Sequence, residues 1–74
     1  MEARKRVGVN IQRLRRAAEL SQEELGARAS VHQTYLSQVE GGKRNPSVDV
    51  LERIARALKA DIAELFQRTG RAGR

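Results

Sequence analysis

The sequence predicts an all-α domain of five short helices packed as one compact cluster. Three observations lead there. Apolar residues recur at helical spacing in five successive stretches. Helix-starting and helix-ending signals fall between them: Ser21, Ser47 and Asp61 as N-caps, and Gly41-Gly42 as a stop. No alternating β-branched run competes with that period. None of the five stretches can bury its apolar stripe alone, so they must pack on one another.

The first segment runs from Lys5 to Ala18 and places Val7, Ile11, Leu14 and Ala18 on one stripe. Gly8 interrupts it at a modest cost in helix propensity. The second starts at Ser21, where Glu24 completes an S-x-x-E capping box and Leu20 and Leu25 form a hydrophobic staple; it continues from Gln22 to about Ala29. The third covers Gln33 to Glu40, with Leu36 and Val39 facing inward and Val31 and Leu36 at staple spacing. Gly41-Gly42 ends it through the left-handed conformation glycine adopts without strain. Ser47 caps the fourth, Asp49 sits in its first turn where the helix dipole favours an acid, and Leu51, Ile54, Ala55 and Leu58 form its stripe. Asp61 caps a short fifth segment with Glu64 as partner and Ile62, Leu65 and Phe66 as its apolar face. Residues 1–67 form the expected domain; residues 68–74 hold three arginines and no core residue, and are expected to be a disordered tail.

Composition narrows the function. The 74 residues suffice for one small domain with a thin core, to which a second copy could add stability. The absence of cysteine excludes disulfides and thiolate metal sites and fits a reducing cytoplasm. No apolar run approaches the roughly 20 residues of a membrane span, and the opening Met-Glu-Ala-Arg-Lys-Arg is not a secretory signal. Tyr35 and Phe66 are the only aromatics, too few for a base-stacking platform on single strands. His32 is the sole histidine, so neither a metal site nor a triad can be assembled around it, and no cofactor is expected. Glu23 and Glu24 are adjacent on a helix and point apart, which rules them out as an acid/base pair. No enzyme activity is expected.

The net charge of +6 points to an anionic partner. The excess lies at the ends, +5 over residues 1–16 and +3 over residues 67–74, while the middle carries −2. Charge therefore supports nucleic-acid binding without locating it. The third segment locates it better. Gln33, Thr34, Ser37 and Gln38 share one stripe away from Leu36 and Val39. Exposed helix faces are ordinarily filled with Lys and Glu; this one offers only amides and hydroxyls. Such groups suit base edges in the major groove, where a Gln amide can donate and accept together and so match adenine N6 and N7.

From Leu20 to Leu58 the sequence resembles the lambda-repressor-like, XRE-family helix-turn-helix domain. The resemblance rests on Leu-Ser-Gln-Glu-Glu-Leu, Val-Glu-Gly-Gly-Lys-Arg-Asn-Pro-Ser and Leu-Glu-Arg-Ile-Ala-Arg-Ala-Leu. It extends upstream to Gly8, Ile11, Leu14 and Arg15 and downstream through Asp61–Phe66. It implies a five-helix domain whose second and third helices bind double-stranded DNA, as in small stand-alone regulators such as restriction–modification controller proteins and phage Cro-like repressors. Carried over by position, Gln33, Thr34, Ser37 and Gln38 would read bases. Gln22, His32, Tyr35, Lys43, Arg44 and Asn45 would meet phosphates, and Arg15 and Glu40 would form a structural ion pair. Three positions depart from the family pattern. Gly26 replaces a usual alanine, Ser30 a usual turn glycine, and His32 a usual N-cap serine or threonine.

One helix-turn-helix reads few base pairs, so a homodimer on a pseudo-palindromic operator is expected. Its interface is expected at Ile62, Leu65 and Phe66 with the outer face of the fourth helix. The alternative is an antitoxin-type module that binds a protein partner as well as its own promoter; the short 68–74 tail offers little anchorage for one.

Overall fold

A computed structural model describes residues 2–68 of the chain, so the expected tail lies outside the described residues from Thr69 onward. The elements are α1 (Ala3–Ala17), α2 (Gln22–Ala29), α3 (Gln33–Glu40), α4 (Val48–Ala57) and a 3-10 helix (Ile62–Phe66). The class is as expected, but the fifth element is a 3-10 helix and not an α-helix. Five residues make little more than one α turn, and the Glu64 N–H closes the element onto the Asp61 carbonyl at 2.9 Å, the i to i+3 bond of the tighter helix.

The core draws on every element: Val7 and Ile11 from α1, Leu25 from α2, Leu36 and Val39 from α3, Leu51 and Ile54 from α4, and Leu65 from the 3-10 helix. Leu14 and Leu58 are half-buried at its edge. Ala18 is exposed, contrary to the expected stripe, because it is the C-cap of α1 and the chain reverses at the next residue.

The N-cap of α2 is formed as read. The Ser21 hydroxyl accepts from the Glu24 N–H at 3.0 Å, and the Glu24 carboxylate accepts from the Ser21 N–H at 2.8 Å. The Ser21 backbone N–H, then its hydroxyl, hold the Glu24 carboxyl below its ordinary range. The stability this contributes is present above the ordinary carboxylate pKa and is lost as pH falls through the lowered one.

All four α-helices close in the same way. A residue in the left-handed region follows each: Glu19, Ser30, Gly42 and Lys59, with φ of 59°, 58°, 74° and 57°. The next N–H then reaches back to the helix, Leu20 to Arg15, Val31 to Gly26, Lys43 to Gln38 and Ala60 to Ala55, at 2.8–3.0 Å. These are Schellman closures, and three of the four use a side-chain-bearing residue at a position that costs it roughly 1–2 kcal/mol. Ser30 is thus left-handed, as its place in the turn implied. Arg53 secures the same corner: its Nε and Nη2 donate to the carbonyls of Ala29 and Ser30 at 3.0 and 3.2 Å.

Two glycines mark close backbone passages, one between helices and one at the α2–α3 turn. A Cβ on Gly8 would stand 2.5 Å from the carbonyl oxygens of both Val39 and Glu40. One on Gly26 would stand 2.6 Å from the Val31 carbonyl. Alanine at Gly26 would therefore strain this turn, and the propensity cost of glycine is offset by the close passage it allows. Two residues beyond Gly8 along α1, Asn10 is fully buried and its Nδ2 donates to the carbonyls of Leu65 and Gln67 at 3.0 and 2.8 Å. Its Oδ1 accepts from Arg13 Nη2 at 3.1 Å, and the end of the 3-10 helix is thereby tied to α1.

Candidate nucleic-acid interface

α3 presents its polar stripe as the period required. Leu36 and Val39 are buried, Gln33, Thr34 and Ser37 are exposed, and Gln38 is half-buried. Two devices fix the helix at its ends. At the start, His32 is the N-cap, and its Nδ1 accepts from the Thr34 N–H at 3.4 Å, a long bond that makes imidazole a weak cap. This contact assigns His32 a local capping role and leaves Nε2 for an outside partner.

At the end, Arg15 and Glu40 form the expected ion pair, with two parallel bonds, Nε to Oε2 at 2.6 Å and Nη2 to Oε1 at 3.0 Å. Their side chains are 11% and 3% exposed, so the pair lies within the fold. Arg15 Nη1 also donates to the Leu20 carbonyl at 2.9 Å, linking α1, the approach to α2, and α3. The bond to Glu40 raises the Arg15 pKa above its ordinary value, by more than burial lowers it. Gln22, at the start of α2, donates Nε2 to the same carboxylate at 3.1 Å. One of its amide protons is thereby held inside the protein, and the other is not engaged by this bond.

The loop after α3 carries Lys43, Arg44 and Asn45, all exposed, with no acidic residue between Gly41 and Ser47. Arg44, though exposed, folds back onto α3. Its Nε donates to Gln38 Oε1 at 2.8 Å and its guanidinium carbon lies 5.6 Å from the centroid of the Tyr35 ring. Sequence spacing gave no sign of this cluster. Tyr35 is half-buried beneath it.

The expected dimer patch needs a correction. Leu65 is fully buried within its own chain, because the 3-10 helix turns it onto the core, and it has no surface for a partner. Phe66 is 44% exposed and Ile62 half-buried, while Val48 on α4 is 71% exposed. Beside Phe66 runs a shallow, mainly apolar groove lined by Ala3, Val7, Pro46 and Leu51, with Arg4 and Asn45 also on its wall. Among the described residues no helix is long and apolar enough to cross a membrane.

A family profile described as a helix-turn-helix domain matches residues 6–66. An HTH-type transcriptional regulator of Sinorhizobium fredii, itself uncharacterized, is 48% identical over 93% of this chain and 90% of its own length. The control protein C.MunI of a Mycoplasma species is 40% identical over 82% of this chain and 84% of its own. Among solved structures, the restriction-modification controller protein C.AhdI of Aeromonas hydrophila superposes with a TM-score of 0.83 at 35% identity, over 85% of this chain and 96% of that one.

Proposed function

The chain belongs to the helix-turn-helix family of DNA-binding transcriptional regulators, and on that premise we propose that it acts as a homodimer on a pseudo-palindromic operator, with α3 in the major groove. The observation that carries the reading is the exposed, uncharged stripe of α3, flanked by a basic loop and fixed at both helix ends. Residues 1–67 are the DNA-binding unit, with Gln33, Thr34, Ser37 and Gln38 as base readers. Gln22, His32, Lys43 and Asn45 bind phosphates, while the Tyr35 ring supports Arg44. Phe66, Ile62 and the outer face of α4 form the dimer patch, to which Val48 adds apolar surface. The similarity to controller proteins favours a small stand-alone regulator of that type.

Selection from a randomised duplex library at near-physiological salt tests this directly. The expected product is a palindrome whose half-sites lie about 34 Å apart, one helical turn. Salt-sensitive binding without sequence enrichment would defeat the operator reading.

Two substitutions separate the roles. Gln33→Ala is expected to cost about 1–3 kcal/mol on the selected operator and to relax the preference at one or two base pairs. An equal loss on random DNA would remove Gln33 from the reading set. Lys43→Ala is expected to weaken binding to all duplexes and to reduce the salt slope by about one. An unchanged slope would show that Lys43 meets no phosphate.

A further inference from the structure

We propose that Arg44 reads a base, and that with Gln38 it forms a composite donor edge selecting guanine. This rests on the DNA-binding reading above and gives that site one element of its specificity. Arg44 belongs to the loop, and a loop arginine would ordinarily serve as a phosphate contact. Its side chain instead folds back along α3. Nε is bonded to Gln38 Oε1 at 2.8 Å, and the guanidinium lies over the Tyr35 ring within the roughly 6 Å of a cation–π contact. Both partners stand on the recognition helix, three residues apart and so on neighbouring faces. The guanidinium is therefore positioned beside the base-reading stripe before any DNA arrives.

The bond also changes what Gln38 can read. A free glutamine amide matches adenine because it accepts from N6 and donates to N7. Here Arg44 Nε takes one of the two lone pairs of the carbonyl oxygen, so Gln38 is left a poorer acceptor for adenine's amino group. Gln38 Nε2 and the two Nη groups of Arg44 have no hydrogen-bond partner among the described residues, and all three are donors. Guanine presents two acceptors, O6 and N7, on its major-groove edge, and a donor-rich surface fits it. Tyr35 and Gln38 together hold the planar fork, which a lysine ammonium could not reproduce.

The test compares the chain with its Arg44→Lys and Arg44→Ala variants on the selected operator, on operators changed at each position, and on random duplex. Arg44 is exposed, so thermal melts are expected to match and binding losses to be attributable to contact. Arg44→Lys keeps the charge and is expected to lose roughly 5- to 100-fold on the operator while random duplex binds almost as before. Arg44→Ala is expected to abolish a guanine preference at one position per half-site and, with Gln38 released, to favour adenine there. Operator and random duplex weakening alike, with Arg44→Lys equivalent to the original chain and the base preference intact, would overturn the proposal and make Arg44 a phosphate contact. Failure of the unaltered chain to select any sequence would instead overturn the operator reading, and the inference with it.

Discussion

Arg15→Ala is expected to lower the stability of the domain by about 3–5 kcal/mol, because it leaves the Glu40 carboxylate buried without its cation. Native proteins have only about 5–15 kcal/mol in total, and domains this small lie at the low end. At roughly 4–8 °C per kcal/mol the melting temperature should fall by more than about 10 °C. Glu40→Ala should cost a similar amount and additionally free the Gln22 amide, which loses its acceptor. DNA affinity of any remaining folded Glu40→Ala protein should then drop further than that of Arg15→Ala. A paired apolar replacement, Arg15→Met with Glu40→Leu, is expected to recover much of the loss, since the penalty lies in the orphaned charge. Urea melts of the four proteins decide it: single variants within about 1 kcal/mol of the parent, the range of exposed ion pairs, would mean the pair is effectively solvated.

The second large effect is expected at Gly8. Alanine should improve helix propensity by about 1 kcal/mol, and in an exposed helix it would stabilise. Here its Cβ would stand 2.5 Å from two backbone carbonyls at the end of α3. Backbone cannot swing aside as a long side chain can, so α1 and α3 must separate. Gly8→Ala should therefore destabilise by an amount near the top of the roughly 1–3 kcal/mol range of overpacked cores. Gly41→Ala is the control. Its Cβ would find its nearest atom at 3.5 Å, and its φ of −83° suits any residue. That variant should melt like the parent or slightly higher, through a less flexible unfolded chain. Equal melting of the Gly8 and Gly41 variants would refute the close contact.

These two sites show where sequence was a good guide and where it was not. The bounds of α2 and α3 were legible because capping is local: Ser21 and Glu24, or Gly41-Gly42, act within one turn of chain. The Arg15–Glu40 pair was reached only through family resemblance, since 25 residues separate its members. Gly8 carried no local sign of its role, because the carbonyls it admits belong to another helix. Asn10 interrupts an apolar face, and its reason is a pair of carbonyls 55 and 57 residues away. Glu19 and Lys59 close helices in a conformation normally announced by glycine, so composition concealed those turns. The exposed polar stripe of α3 followed from helical period alone, whereas the Arg44 cluster depends on how a loop folds back, which no periodicity encodes.

The attachment of α3 has a consequence for the nucleic acid itself. The helix is capped at one end, pinned to α1 by a bidentate ion pair at the other, and seated on a glycine. A reader held in this way has little freedom to shift toward a groove that is slightly out of place. In a dimer the distance between two such readers is set by protein, so misfit must be absorbed by bending or twisting the duplex. That elastic cost depends on the stiffness of base steps between the half-sites, which no side chain touches. Operators with identical contacted bases but different central steps should therefore be ranked by the mechanics of their DNA.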